Sequence, residues 1–301
     1  CLRAVVEGCL TSEGVAVVEG DASVAQELMQ YPFDHIFFTG SPTVGKIIMA
    51  GAAKHLSSVT LELGGKSPVI VDETANIDVA AAKIAWIKAM NAGQICIAPD
   101  YVLVQESVHD ALVQKIGEKW EQFYGKTPEA RQKTADLCRI IHERHFERIV
   151  ALIEDGMQKG AQLRFGGRHS KSDLYVEPTL LTDIGEDMQI MHEEIFGPVL
   201  PVQKFKTLEQ AISIVNSRHR PLAMYIFSTH RTKINLILNE TTSGNVTVND
   251  CAAHYFNVAL PFGGIGNSGI GKSHGEAGFL EFTHSCGILH QNRFLRTTDY
   301  F

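Results

Sequence analysis

The chain has 301 residues, 45% of them hydrophobic and 20% charged, with a formal net charge of −7. That balance suits a folded protein with room for two cores, and its acidic sign argues against nucleic acid as the main partner. No apolar run reaches the length of a membrane span, and the six cysteines lie far apart with no C-x-x-C spacing. Reduced thiols in a cytoplasmic enzyme fit that usage better than a disulfide framework or a zinc site. The first residue is Cys1 rather than methionine, so the sequence reads as a fragment with room for a leader ahead of it.

In chain order, residues 15–19 (VAVVE) are a short β-type run closed by a polar turn at Gly20-Asp21, and a helical segment follows to about Gln30. Residues 34–39 (DHIFFT) predict a second strand, and a helix is expected from about Thr43 to Lys54. Strand, helix, strand, helix is the order of one half of a doubly wound parallel sheet. At the junction, Ser41 is a good N-cap and Pro42 suits the first helical position. A helix start presents free N–H groups and a positive dipole end, which suits a phosphate; plain capping accounts for the same residues equally well. Gly40 to Lys46 also matches most of a P-loop, but Ile47 replaces the hydroxyl residue that would hold magnesium.

Residues 57–63 and 68–72 are two further β-type runs joined by Gly64-Gly65, where a domain boundary is expected. Glu62 stands between Leu61 and Leu63. An anion there is costly to bury, so a raised pKa or a working role is expected, unless strand alternation simply turns it outward. Residues 77–92 form an amphipathic helix leading into the run Asn91-Ala92-Gly93-Gln94-Ile95-Cys96-Ile97-Ala98-Pro99. Pro99 cannot continue a helix and pushes Ala98 toward extended geometry, so Cys96 sits on a connection where a thiol can meet a ligand. An unperturbed thiol is only about 3% ionised at pH 7, and a lone cysteine is more commonly a buried structural thiol.

Tyr101 to Gln105 reads as a strand. Residues 107–124 read as a helix ending at Gly125, with Val108, Leu112, Ile116 and Trp120 at four-residue steps. Another helix spans about 141–159. On it His142 and His145 lie one turn apart, as metal ligands can, but Glu143, Arg144, Glu147 and Arg148 around them point to a solvated face. Residues 175–184 and 197–205 read as extended, 207–218 as helix, 221–228 as strand, 230–240 as helix and 245–249 as strand. Gly263 to Gly278 contains G-x-G-x-x-G at Gly264, Gly266 and Gly269, and a formal Walker A match from Gly266 to Lys272-Ser273. Neither has the strand before and long helix after that its chemistry needs. Residues 279–294 look extended.

Four blocks together resemble the aldehyde dehydrogenase superfamily: Glu62 to Pro68 (ELGGKSP), Gly93 to Cys96 (GQIC), Glu193 to Val199 (EEIFGPV) and Pro261 to Gly264 (PFGG). The likeness runs from about Gly14 to about Phe282. The run from Asn91 to Tyr101, with Asn249-Asp250 and His254, is most similar to the class 3 branch of fatty, aromatic and coniferyl aldehyde dehydrogenases.

The resemblance implies an α/β aldehyde dehydrogenase fold with a partial Rossmann-like cofactor domain. Residues 1–63 would be the C-terminal half of the dinucleotide-binding domain, 64–275 the thiol-bearing catalytic domain, and 276–301 a terminal strand for oligomerisation in a homodimer. It implies NAD or NADP as cofactor, with Gly40 and Ser41 near the pyrophosphate and Glu194 and Phe196 around the nicotinamide and its ribose. Cys96 would attack an aldehyde to form a thiohemiacetal and, after hydride transfer, a thioester. Glu62 would activate the water that releases the carboxylic acid, and a base at that position favours hydrolysis over transfer to coenzyme A. Asn249, His254 and Phe262 would lie near the substrate tunnel, and no metal is called for. The family's oxyanion asparagine falls ahead of Cys1. The alternatives are an inactive fragment or non-catalytic paralogue, and more remotely a P-loop nucleotide-triphosphatase using Lys46 or Lys272.

Overall fold

The computed structural model describes residues 2–10 and 14–291. Two short helices come first, α1 (Leu2–Cys9) and α2 (Ala22–Leu28), the second capped by the Asp21 carboxylate accepting the Ser23 N–H at 2.9 Å. Between them residues 15–19 form no strand, contrary to the β-type run expected there. A strand needs a ladder partner, and Val15 and Val18 stay exposed without one. Next come β1 (His35–Thr39), α3 (Pro42–Ala53) and β2 (Ser58–Glu62). The Ser41 hydroxyl caps α3 by accepting the Val44 N–H at 3.4 Å, with Pro42 in its first turn.

The chain then runs through β3 (Pro68–Val71), α4 (Ile77–Ala89), β4 (Tyr101–Gln105), α5 (His109–Tyr124), α6 (Pro128–Lys133) and α7 (Glu143–Gln158). The strands β5 (Gln162–Phe165), β6 (His169–Ser170), β7 (Tyr175–Val176), β8 (Thr179–Thr182) and β9 (Val199–Phe205) follow. After them come α8 (Leu208–Asn216), β10 (Ala223–Phe227), α9 (Arg231–Glu240), β11 (Asn245–Val248), α10 (Ala253–Phe256), β12 (Gly269–Ile270) and α11 (Gly275–Glu281). The last of these corrects the extended reading of residues 279–294. The Glu281 carboxylate accepts the Lys272 N–H at 2.9 Å, which folds the segment back as a helical turn. No strand occurs in residues 282–291, and 292–294 lie outside the described residues.

Two sheets carry the fold. Seven strands form the larger one, in the order β11-β10-β3-β4-β9-β8-β5, parallel except for the β5–β8 pair. The smaller has the order β1-β2-β12, with β12 antiparallel to β2. Gly64-Gly65 lies in the link between them.

In the large sheet, β3 and β4 are buried on both faces, which explains why they read as near-continuous apolar runs. The pleat sorts their side chains. Val69, Val71, Val102 and Val104 pack with α4 and α5, where Ile84, Leu112, Ile116 and Trp120 form the core. Ile70, Tyr101 and Leu103 point the other way, against Ile149 and Ile153 of α7 and Ile237 of α9. This double covering fixes where β4 begins, and hence where the turn before it must stand.

Candidate active site

Cys96 sits in the turn between α4 and β4. The chain leaves α4 through three successive left-handed residues, Asn91 (φ 50°), Ala92 (φ 53°) and Gly93 (φ 71°). At Gly93 a Cβ would fall on the Gly197 carbonyl, so the glycine answers both to the backbone angle and to the close approach of the next segment. Gln94 pins the turn: its Nε2 donates to Asn91 O at 3.0 Å and Arg139 O at 3.1 Å, and its Oε1 accepts the Ile141 N–H at 2.9 Å. The Tyr225 hydroxyl donates to Ile97 O at 2.5 Å from below. The thiol is therefore held by its backbone on every side.

Glu62 is the last residue of β2 and its side chain is buried. Burial pushes its carboxyl up to about 7, opposed by a hydrogen bond from Ser273 at 3.0 Å and by the charge of Lys272. The direction is the one its leucine neighbours suggested. Cys96 goes the other way from a free, reactive thiol. Burial, and then the negative charges of Glu194 and Glu62, push it up to about 11. At pH 7 only about one thiol in ten thousand would be ionised on that value.

These residues share one cavity of about 680 Å3. Cys96, Glu62, Gly40, Ser41, Glu194 and Phe196 all line it, and so does the first turn of α3. The Glu194 carboxylate accepts the Gly65 N–H, and burial pushes it up to about 7. A Cβ at Gly64 would fall on that carboxylate, so the Gly64-Gly65 pair makes room for it. The segment carrying Glu194 is clamped from two sides. Lys66 pairs with the buried Asp100 and donates to Ile190 O at 2.7 Å and Glu193 O at 2.9 Å. Arg148 donates to Glu194 O at 3.0 Å and Ile195 O at 2.7 Å. Lys66→Met strands the Asp100 carboxylate in the interior and is expected to cost about 3–5 kcal/mol of stability, seen as a lower urea midpoint with an unchanged slope.

A thiol, a raised carboxyl and a helix N-terminus around one cavity are what the sequence resemblance led one to look for, and comparison with known proteins decides the family. The profile of the aldehyde dehydrogenase family matches residues 3–286. The chain belongs to the aldehyde dehydrogenase family. It is 47% identical over 273 residues to rat aldehyde dehydrogenase family 3 member A2, covering 91% of this chain and 55% of that protein. Rat dimeric NADP-preferring aldehyde dehydrogenase is likewise 47% identical over 273 residues, with 91% and 58% covered. The solved structure of Staphylococcus aureus AldH in its substrate-bound state superposes with a TM-score of 0.91 at 39% identity, covering 99% of this chain and 65% of that one. The chain thus spans between about half and two thirds of the length of these relatives.

In this aldehyde dehydrogenase chain three residues expected near the substrate do not line the cavity. The Asn249 amide is spent on Ser228, accepting its N–H at 3.0 Å and donating to its carbonyl at 2.9 Å. His254 is buried behind the cysteine turn, its ring 6.1 Å from Tyr225 and stacked at 6.0 Å on Phe262. Burial pushes His254 down to about 4, so it is neutral near pH 7. Phe262 is buried too, between His254 and His274.

Conversely, His145 does line the cavity, with its ring 6.4 Å from Phe196, where the sequence suggested a solvated face. Of the charges around it in sequence, Arg148 lines the cavity beside it, while Glu143 and Glu147 pair with Lys171 away from it. The α7 periodicity, with Phe146, Ile149 and Ile153 inward, was the signal that could have placed it beside the buried stripe. Lys272, the lysine of the Walker A match, donates to Gly263 O at 2.9 Å, and among the described residues only the seven-residue α11 follows it. The run from Gly40 to Lys46 does not form the long loop of the Walker pattern either, because α3 already begins at Pro42.

Proposed function

We propose that this chain carries the thiol, the base and part of the cofactor site for NAD- or NADP-dependent oxidation of an aldehyde to a carboxylic acid. What supports the reading is that Cys96, Glu62 and the N-terminus of a twelve-residue helix line the same cavity. The residues present suit a dinucleotide. Gly40 and Ser41 open α3 toward the cavity, where backbone N–H groups and the dipole favour a phosphate. Glu194 accepts only the Gly65 N–H among the described residues, which leaves its carboxylate open to a ribose hydroxyl, with Phe196 beside it. When bound, the nicotinamide accepts the hydride that the aldehyde carbon gives up.

The chain's own residues do the rest. The Cys96 thiol is protonated at neutral pH, and its proton passes to one of the two carboxylates that titrate near 7, Glu62 or Glu194. The sulfur then adds to the carbonyl carbon, and the backbone N–H of Cys96 would be one donor to the charge developing on the oxygen. The proton taken from the thiol leaves to solvent, and once the acyl group is a thioester on Cys96 the ionised Glu62 takes a proton from water. The hydroxide attacks, the carbon–sulfur bond breaks, and the proton held by Glu62 passes to the departing sulfur, which returns the thiol and releases the acid.

In this reading residues 1–63 are the C-terminal half of the dinucleotide-binding domain, 64–275 the thiol-bearing domain and 276–301 an oligomerisation segment. A homodimer is the assembly, as the rat relative's "dimeric" name describes for that protein. The described cysteines are unpaired, and no described helix is long and apolar enough to cross a membrane, which suits a cytoplasmic setting. Mixing the protein with NAD or NADP and benzaldehyde should raise the absorbance at 340 nm. No rise with either cofactor, in protein shown to bind that cofactor, overturns the assignment in favour of a non-catalytic relative.

A further inference from the structure

The oxygen atoms of Glu62 are treated unequally. Oε1 lies 3.0 Å from the Ser273 hydroxyl, while Oε2 is buried with no hydrogen-bond partner among the described residues. Ser273 is 211 residues away in sequence and belongs to the glycine-rich turn that carries β12 back onto β2. Its backbone is fixed. The Ser273 N–H donates to Phe262 O at 2.6 Å and the Phe262 N–H to Ser273 O at 2.9 Å. The hydroxyl itself sits 3.3 Å from that same Phe262 carbonyl. It therefore has two possible acceptors from one position.

We propose that Ser273 is the positioning residue of the Glu62 base, a hydroxyl that turns between Glu62 Oε1 and the Phe262 carbonyl and so holds the side chain in both of its protonation states. This rests on the reading of Glu62 as the base. A hydroxyl donates one proton and still accepts. With Glu62 ionised, the Ser273 O–H donates to Oε1, and the charge strengthens that bond. With a proton on Oε1, the carboxyl donates to Ser273 Oγ and the serine proton turns to Phe262 O. The carboxyl plane is kept in either state, and Oε2, which has no hydrogen-bond partner among the described residues, is left as the oxygen to take the proton from water.

The other charged or titratable groups that act on Glu62 are few. Lys272 precedes the serine, and its ammonium lies on Gly263 O; Glu281 is tied to Thr60 at 3.0 Å; Cys96 stands across the cavity. Neither Lys272 nor Glu281 hydrogen-bonds Glu62, so the serine is its one side-chain partner among the described residues.

The test uses Ser273→Ala and Ser273→Thr. Both keep the Phe262–Ser273 backbone pairing, and only the second keeps a hydroxyl. The Glu62 carboxyl is titrated by 13C NMR, with Glu62→Gln identifying its signal, and kcat is followed against pH. Ser273→Ala is expected to raise the Glu62 midpoint by about one pH unit. It should lower kcat at pH 7 by about tenfold with little change in KM, while Ser273→Thr stays within about threefold of the unsubstituted protein. A midpoint in Ser273→Ala equal to that of the unsubstituted protein, or a threonine variant that behaves as the alanine one does, overturns the proposal. If instead Glu62→Gln turns over normally, the base reading fails, while the NMR midpoint still reports whether Ser273 holds the carboxyl.

Discussion

Cys96→Ala is expected to abolish aldehyde-dependent formation of reduced cofactor, by at least about 10^4-fold in kcat/KM. The size follows from what the substitution removes. The proposed route is covalent, so no fraction of it survives without the sulfur, and no other cysteine among the described residues lines the cavity. Cys251 is fully buried, with its thiol pushed well above its ordinary range, and cannot substitute. Cofactor affinity should be nearly unchanged, because the α3 start and Glu194 are untouched; quenching of protein fluorescence by NADH measures it. Substantial oxidation in the alanine variant would remove Cys96 from the mechanism altogether. The same site makes a prediction about pH. Because Cys96 is raised to about 11, its alkylation by iodoacetamide should keep accelerating from pH 8 to pH 11 rather than level off near pH 8.5. A plateau below pH 9 would mean that the thiol is activated in the free protein.

Much of this architecture is local in origin and can be read locally. The apolar runs at β3 and β4, the four-residue steps of α5 and the Ser41–Pro42 start of α3 each declare their element within a few residues. The two blocks around Glu62 and Cys96 likewise mark positions that share the cavity with Gly40, Ser41, Glu194 and Phe196. What escaped depends on partners far along the chain. Residues 15–19 have the β-branched composition of a strand but no neighbour to pair with. Residues 279–294 look extended until Glu281 is seen tied to Thr60 and Lys272. Ser273 and Arg148 gave no local sign, since their importance lies in a carboxylate and two carbonyls reached only through the fold.

Glu62→Gln should separate two things that the buried carboxyl does at once. Acid release is expected to slow by about 10^2–10^3-fold, because the amide cannot take a proton from water. Thioester formation should continue, since Glu194 remains to accept the thiol proton and the loss of one negative neighbour lowers the Cys96 pKa. Rapid mixing should therefore show a burst of reduced cofactor approaching one per site, followed by a slow steady state. Slow turnover without a burst would place Glu62 before the hydride step instead.

The stability consequence has a definite sign. Glu62 titrates near 4.5 in an unfolded chain and near 7 when folded, so between those values the native state keeps a proton that the unfolded state has released. Stability is lost as pH rises through that window, and the loss persists above it. Glutamine removes the charge while keeping the shape, so the variant should gain about 3 kcal/mol over the unsubstituted protein at pH 8 and almost nothing at pH 4.5. Paired urea titrations at the two pH values test this. A variant that is slower in turnover yet harder to unfold at pH 8 is what a carboxyl buried for proton transfer requires; equal destabilisation at both pH values would mark Glu62 as a packing residue.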